Sequence, residues 1–175
     1  ADGLGVAPPA MPDTDPRGAD PVDRDAPAMP PIDRARYQLV RDADALAAWI
    51  ARAQAVGAVA IDTETTGLDE MTADLVGVSL SCGPEAACYT PLTHRAEGGE
   101  GLFGSNALAQ GQMPLDAALA MLKPMLEDPG VLKILQNAKY DVKILARYGI
   151  DVAPIDDTML MSYALNAGLH GHGMD

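Results

Sequence analysis

In the stretch AIDTETTGLDE, residues 60 to 70, two acids one residue apart, Asp62 and Glu64, end an apolar run. If that run is a strand, alternate side chains share a face, so Asp62 and Glu64 point one way and Thr63 the other. Like charges converging at a partly buried strand end repel and raise each other's pKa unless a counter-charge is present. A divalent cation supplies it, and an all-oxygen donor set selects Mg²⁺ or Mn²⁺ over zinc. An isolated D-x-E is short and common, and two acids reaching solvent past a strand end explain it equally well. A second acidic position stands in QNAKYD, residues 136 to 141, where a buried strand delivers Asn137 to a helix start and Asp141 follows on the same helical face. The first turn of such a helix offers free N–H groups to a phosphate. Asn137 as a cap and Asp141 as a favourable first-turn charge form the competing reading.

The elements that must position these residues follow from periodicity. YQLV reads as a short strand, and the stripe Leu46, Trp49, Ile50 and Ala53 as a helix closed by Gly57. AVAIDTE (58 to 64), DLVGVSLSC (74 to 82) and AACYTPL (86 to 92), joined by short turns, suit an antiparallel meander. After a Gly-rich loop over 97 to 112, Leu115, Leu119, Leu122 and Leu126 mark a helix stopped by Asp128, Pro129 and Gly130. VLKILQ is then a buried strand, NAKYDVKILARYG a helix ended by Gly149, and DDTMLMSYALNAG a helix opened by Asp156 or Asp157. A meander followed by alternating strand and helix implies an α/β mixed sheet with helices packed on it.

Residues 1 to 35 alternate Pro, Ala, Gly and Asp without apolar period, the pattern of a linker, leaving 36 to 175 as one folded unit. The net charge of -13 opposes binding to a polyanion at long range, although part of it sits on that linker. Cys82 and Cys88 lack metal-type spacing and read as reduced thiols on neighbouring strands. No apolar run is long enough for a membrane span, and no secretory leader is seen. The chain starts at Ala1, which suggests a piece of something longer.

VAIDTETTGLD, QNAKYD and DDTMLMSYALN, with LVGVSL and PLTH between them, resemble the proofreading 3'-5' exonuclease domain of bacterial DNA polymerase I, a DEDD-type nuclease. The resemblance runs from about Tyr37 to Asp175 and implies an RNase H-like fold, a bacterial cytoplasmic and nucleoid-associated setting, and a polymerase domain in the same parent chain. It implies that Asp62, Glu64 and Asp141 hold two divalent ions, Mg²⁺ or Mn²⁺. One would acidify the water that attacks the terminal phosphodiester and the other would stabilise the leaving 3'-oxygen. Leu68 matches an apolar wedge against the terminal bases, and Thr65, Gln136, Asn137, Tyr140 and Met159 match positions near the bound 3' end. The substrate implied is a single-stranded or frayed 3' end of DNA, held by local contacts that the ions make tolerable for an acidic protein.

The family's third motif, Tyr-x-x-x-Asp, is not found: Tyr148 is followed four places on by Val152, and Tyr163 by Ala167. His170 and Asp175 have the His-x-x-x-x-Asp spacing of a sister family, but GLHGHGMD is too Gly-rich for the helix that must present them. Gly171 stands where relatives often carry a basic residue. The expectation is therefore weak or no activity for this chain alone. A catalytically silent scaffold and an RNA-trimming relative are the rival readings. Lys139, Lys143 and Arg147 form a stripe turned away from Asp141 and read as a solvated face, while the direction of Lys133 is open.

Overall fold

The computed structural model describes residues 33–96, 107–168 and 171–173. Most of the linker expected over 1 to 35 and most of the Gly-rich loop lie outside them, as do His170 and Asp175. Within the described residues, Asp33 caps a single 3-10 turn, Arg34–Arg36, before the first strand.

Six strands form one mixed sheet: β1 (Gln38–Leu39), β2 (Ala58–Thr65), β3 (Leu75–Ser81), β4 (Ala87–Pro91), β5 (Leu132–Leu135) and β6 (Ile155–Asp157), in the order β1-β4-β3-β2-β5-β6. β2, β3 and β4 are the expected antiparallel meander, whereas β5 runs parallel to β2 and β6 parallel to β5. The helices are α1 (Ala43–Val56), α2 (Leu115–Leu126), α3 (Ala138–Arg147) and α4 (Thr158–Asn166). α1 begins at Asp42, whose side chain accepts from Ala45 N, and ends at Gly57 with φ +75°, a left-handed stop that glycine takes without a Cβ penalty.

Alternation decides what each face of the sheet carries. Val59, Ile61 and Thr63 of β2, Val78 and Leu80 of β3, and Leu135 of β5 are buried under Leu46, Trp49 and Ala53 of α1, Leu119, Leu122 and Leu126 of α2, and Ile144 and Leu145 of α3. The opposite face, with Ala60, Ser79, Ser81, Ala87 and Ile134, is only half-buried, and Asp62 and Glu64 on that side are exposed. The apolar members of the covered face supply the main cohesive force, at roughly 1.5–3 kcal/mol for each fully buried large side chain.

One local expectation is corrected. The segment read as one helix from Asp156 first makes β6, because Ile155, Asp156 and Asp157 pair in parallel with Lys133, Ile134 and Leu135; the helix opens only after Asp157. A three-residue strand has too little period to announce itself. Lys139, Lys143 and Arg147 lie on an exposed face, as expected, and two of them are paired there: Lys143 Nζ meets Glu70 Oε1 at 2.6 Å, and Arg147 donates to the backbone carbonyls of Glu70 and Ala73. Together they fasten the loop between β2 and β3 to α3. Cys82 and Cys88 are unbridged, as expected.

Lys133 is fully buried, side by side with Val59 in the β2–β5 register. Its ammonium reaches the edge of the sheet where β5 and β6 begin, and donates to the carbonyls of Asp128 (2.9 Å) and Ala153. Burial lowers its pKa, an effect offset in part by the negative charge of Asp128. Two loops thus depend on one cation for their hydrogen bonding. Lys133→Met keeps the volume but leaves both carbonyls without a donor, and should cost about 2 kcal/mol in urea unfolding. A neutral effect would show that the two bonds contribute nothing net.

Candidate active site

β2, β5 and β6 all end at one edge of the sheet, and the residues that leave those ends build the site. β2 delivers Asp62, Glu64 and Thr65, and the turn beyond it carries Gly67 and Leu68. β5 delivers Gln136 and Asn137, and α3 starts there, bringing Tyr140 and Asp141. Asp62, Thr63, Glu64, Thr65, Leu68, Gln136, Asn137, Tyr140 and Asp141 line a single cleft of about 560 Å³. A more apolar hollow of about 320 Å³ continues over the half-open sheet face and shares Asp62 and Gln136 with it. Met159 does not line the cleft; it stands in the first turn of α4, where its N–H is capped by Asp157.

Asp141 comes from the helix side of the sheet rather than from the face that Asp62 and Glu64 share. It is 3% exposed, and its Oδ1 accepts both the N–H (3.0 Å) and the hydroxyl (2.6 Å) of Thr63. The residue between the two acids of D-x-E therefore holds the third. Sequence reasoning put Thr63 on the far face from Asp62 and Glu64, which is where it lies, but did not see that this made it the partner of Asp141.

Burial raises the pKa of Asp141 first; hydrogen bonds from Thr63 oppose this, and the charge of Asp62 adds to it. Asp62 reaches solvent, yet the protein around it removes enough water to raise its pKa as well, against a smaller opposing hydrogen bond from the Thr63 backbone. No Lys or Arg among the described residues pairs with Asp62, Glu64 or Asp141. Nor do any three Asp, Glu, His or Cys side chains of the described residues close into a compact ion-binding cluster. The acids form an open, uncompensated wall of hard oxygen donors. Such a donor set fits Mg²⁺ or Mn²⁺, with water or substrate oxygens completing the shell.

Around this wall the polar groups hold one another. The Tyr140 hydroxyl meets Thr65 Oγ1 at 2.5 Å and also donates to the carbonyl of Gly67, fixing the turn that presents Leu68, which is 96% exposed. Asp69 closes the same loop by accepting from Met71 N and Thr72 Oγ1, each at 3.0 Å. An apolar side chain is thus held in water at the mouth of the cleft by an ordered loop. Gln136 donates to the carbonyl of His172 at 2.8 Å and accepts from the Thr158 hydroxyl, so its amide ties α4 to the segment after it.

The sequence allowed either a phosphate or a cap at the start of α3, and the structure is different from both. Asn137 occupies the cap position with φ +55° but makes no side-chain cap bond. The N–H groups of Asn137 (3.2 Å) and Ala138 (2.9 Å) are taken instead by the carboxylate of Asp157. An internal anion thus takes one of the N–H groups of the first turn that the sequence offered to a phosphate.

Opposite Glu64 on β3 stands Gly77. A Cβ there would overlap the ring and hydroxyl of Tyr89, which lies across the strand and bonds His94 Nε2 at 2.6 Å. Burial raises the pKa of Tyr89, and the charge of Glu64 adds to the rise.

Comparison with known proteins gives consistent findings. The 3'-5' exonuclease family profile matches residues 37–175. A DNA polymerase I from Rhizobium leguminosarum is 48% identical over 154 residues, covering 83% of this chain and 15% of the relative. A DNA polymerase I from Pseudomonas aeruginosa is 38% identical over 142 residues, covering 79% of this chain and 14% of the relative. Among solved structures, a nuclease in its apo form superposes with a TM-score of 0.54 at 27% identity, covering 79% of this chain and 56% of that one. The chain thus spans about 15% of the length of the first of these relatives. The mixed sheet is RNase H-like, and no described helix is long and apolar enough to cross a membrane.

Two expectations follow from the site's geometry. Because the folded state raises the pKa of Asp62 above the ordinary 3.8, its charge destabilises the metal-free fold at neutral pH, and this penalty fades as the pH falls toward 3.8. Asp62→Asn should therefore melt higher than the parent at pH 7 in chelator, with the gap narrowing on acidification; equal melting curves at pH 7 would contradict this. Gly77→Ala should cost about 1–3 kcal/mol by overpacking against Tyr89, and Tyr89→Ala in the same chain should recover part of that loss in thermal unfolding.

Proposed function

The chain belongs to the 3'-5' exonuclease family, and from that premise we propose that its cleft removes nucleotides from the 3' ends of DNA, as the proofreading domain of a longer DNA polymerase I. The observation that carries this reading is the single cleft lined by Asp62, Glu64 and Asp141 together with Thr65, Leu68, Gln136, Asn137 and Tyr140. In this reading Asp62, Glu64 and Asp141 hold Mg²⁺ or Mn²⁺, with two ions serving the reaction. When bound, such ions supply the positive charge that acidifies an attacking water and stabilises the departing 3'-oxygen.

The rest falls to the chain's own residues. Leu68 packs against the last base and separates the terminal nucleotide from its neighbours, a role supported by its exposure on a loop fastened by Tyr140, Lys143 and Arg147. Asn137 and Thr65 orient the terminal sugar and phosphate. Thr63 keeps Asp141 turned into the site through its two hydrogen bonds. Met159, outside the cleft lining, meets the nucleic acid beyond it. The frayed or single-stranded end enters along the open side, where stacking and local polar contacts outweigh the long-range repulsion from a net charge of -13.

No Tyr in the 175 residues is followed by Asp four positions later, so the acid and the water-orienting hydroxyl of the family's third motif are not in this sequence. The chain by itself is therefore expected to have weak or no activity. Incubated with Mg²⁺ or Mn²⁺ and a labelled single-stranded DNA, it should release 3'-terminal nucleotides slowly, at least a hundredfold below a version extended through a third motif, and Asp62→Ala should abolish the trimming in both. Matched RNA should be cut more slowly than DNA by the extended version. Equal rates for the extended version and its Asp62→Ala variant would remove the assignment, and faster cleavage of RNA would move it to an RNA-trimming enzyme.

A further inference from the structure

Asp157 is the last residue of β6 and stands beside Leu135, the last of β5, so its side chain meets the turn by which β5 passes into α3. One carboxylate there serves two helices. Oδ1 accepts from Met159 N (3.0 Å) and Leu160 N (3.2 Å) at the start of α4, and also from Asn137 N at 3.2 Å; Oδ2 accepts from Ala138 N at 2.9 Å. Capping its own helix needs only the first two bonds. The other two cross to a neighbouring element and hold Asn137 at φ +55°, a left-handed conformation that a non-glycine residue keeps only where its surroundings demand it. Asn137 lines the cleft, and Asp141 follows one turn later in the helix that starts there.

We propose that Asp157 is a positioning residue of the nuclease site. Its carboxylate locks the turn at Asn137 and thereby sets where Asn137 and Asp141 stand. This role rests on the nuclease reading of the cleft. Asp157 touches neither the acids nor any substrate group; it acts through the backbone of Asn137 and Ala138. A carboxylate in this place also takes the Ala138 N–H, the first of α3, so that group is not free for a substrate phosphate.

Asp157→Ser separates the two duties, since a serine hydroxyl caps α4 as well as Asp does but is too short, with a single oxygen, to bond Asn137 and Ala138 as well. In the full chain, amide hydrogen exchange at Asn137 and Ala138 should quicken at least tenfold in Asp157→Ser, while the Met159 amide stays protected. Mn²⁺ affinity, measured by calorimetry on protein shown to be folded, should fall roughly tenfold, the size expected of a lost supporting contact. Asp157→Ala should show the same losses and expose Met159 too; if it does not fold, the Ser variant carries the test. Ala118→Gly, which loosens α2 away from the turn, should lower the melting temperature and leave both readouts unchanged. Unchanged exchange at Asn137 and Ala138 overturns the proposal, and so does faster exchange with unaltered Mn²⁺ affinity. If the parent shows no Mn²⁺ binding that Asp62→Asn removes, the nuclease reading of the cleft fails instead, and the exchange data alone then decide whether Asp157 locks the turn.

Discussion

The bond pair between Thr63 and Asp141 joins two segments 78 residues apart and turns a strand end and a helix start into one site. Neither segment could form the cleft by itself. β2 contributes two acids on the half-open face, and α3 brings the third from the covered face, so a connection through the edge of the sheet is required. A buried carboxylate accepting two hydrogen bonds from one residue is held in place, and it forfeits much of its hydration to be there. That loss is what leaves the wall of acids ready for cations, because no Lys or Arg of the described residues has been placed to neutralise it.

The cations of this acidic protein are used elsewhere, and their placement supports the same edge. Lys133 ties together the loops at the starts of β5 and β6, opposite the cleft, and so fixes the strands whose other ends carry Gln136, Asn137 and Asp157. Lys143 and Arg147 hold the loop that presents Leu68. Asp157 does at the helix starts what the lysines do at the loops, except that its charge meets N–H groups rather than carbonyls. Exposed ion pairs such as Lys143–Glu70 add little to global stability. Their value here is in confining a loop whose apolar tip would otherwise collapse onto the protein.

Much of this was legible in the chain. The stripe of α1 with its terminal Gly57, the three strands of the meander and the opposed faces of Asp62 and Thr63 all follow from periods of 3.6 and 2, which are local properties. β6 was not legible, because three residues paired only to a distant strand carry no period. The charged stripe on α3 is exposed as its spacing implied, but its partners were not legible: Glu70 and the carbonyls of Glu70 and Ala73 are about 70 residues away in the chain, and spacing along a helix says nothing about them.

By itself the sequence determined the element types, the two acidic motifs and the resemblance that named their chemistry, since these depend on residue identity and short-range spacing. Only the tertiary structure decided that Thr63 is the clasp for Asp141, that Met159 stands outside the cleft lining, and that Asp157 bonds the backbone at the start of α3. The two contacts among them arise because parallel pairing of β2, β5 and β6 brings their ends beside the start of α3. Hydrogen bonds across such an edge are set by register in three dimensions, which one-dimensional pattern does not encode.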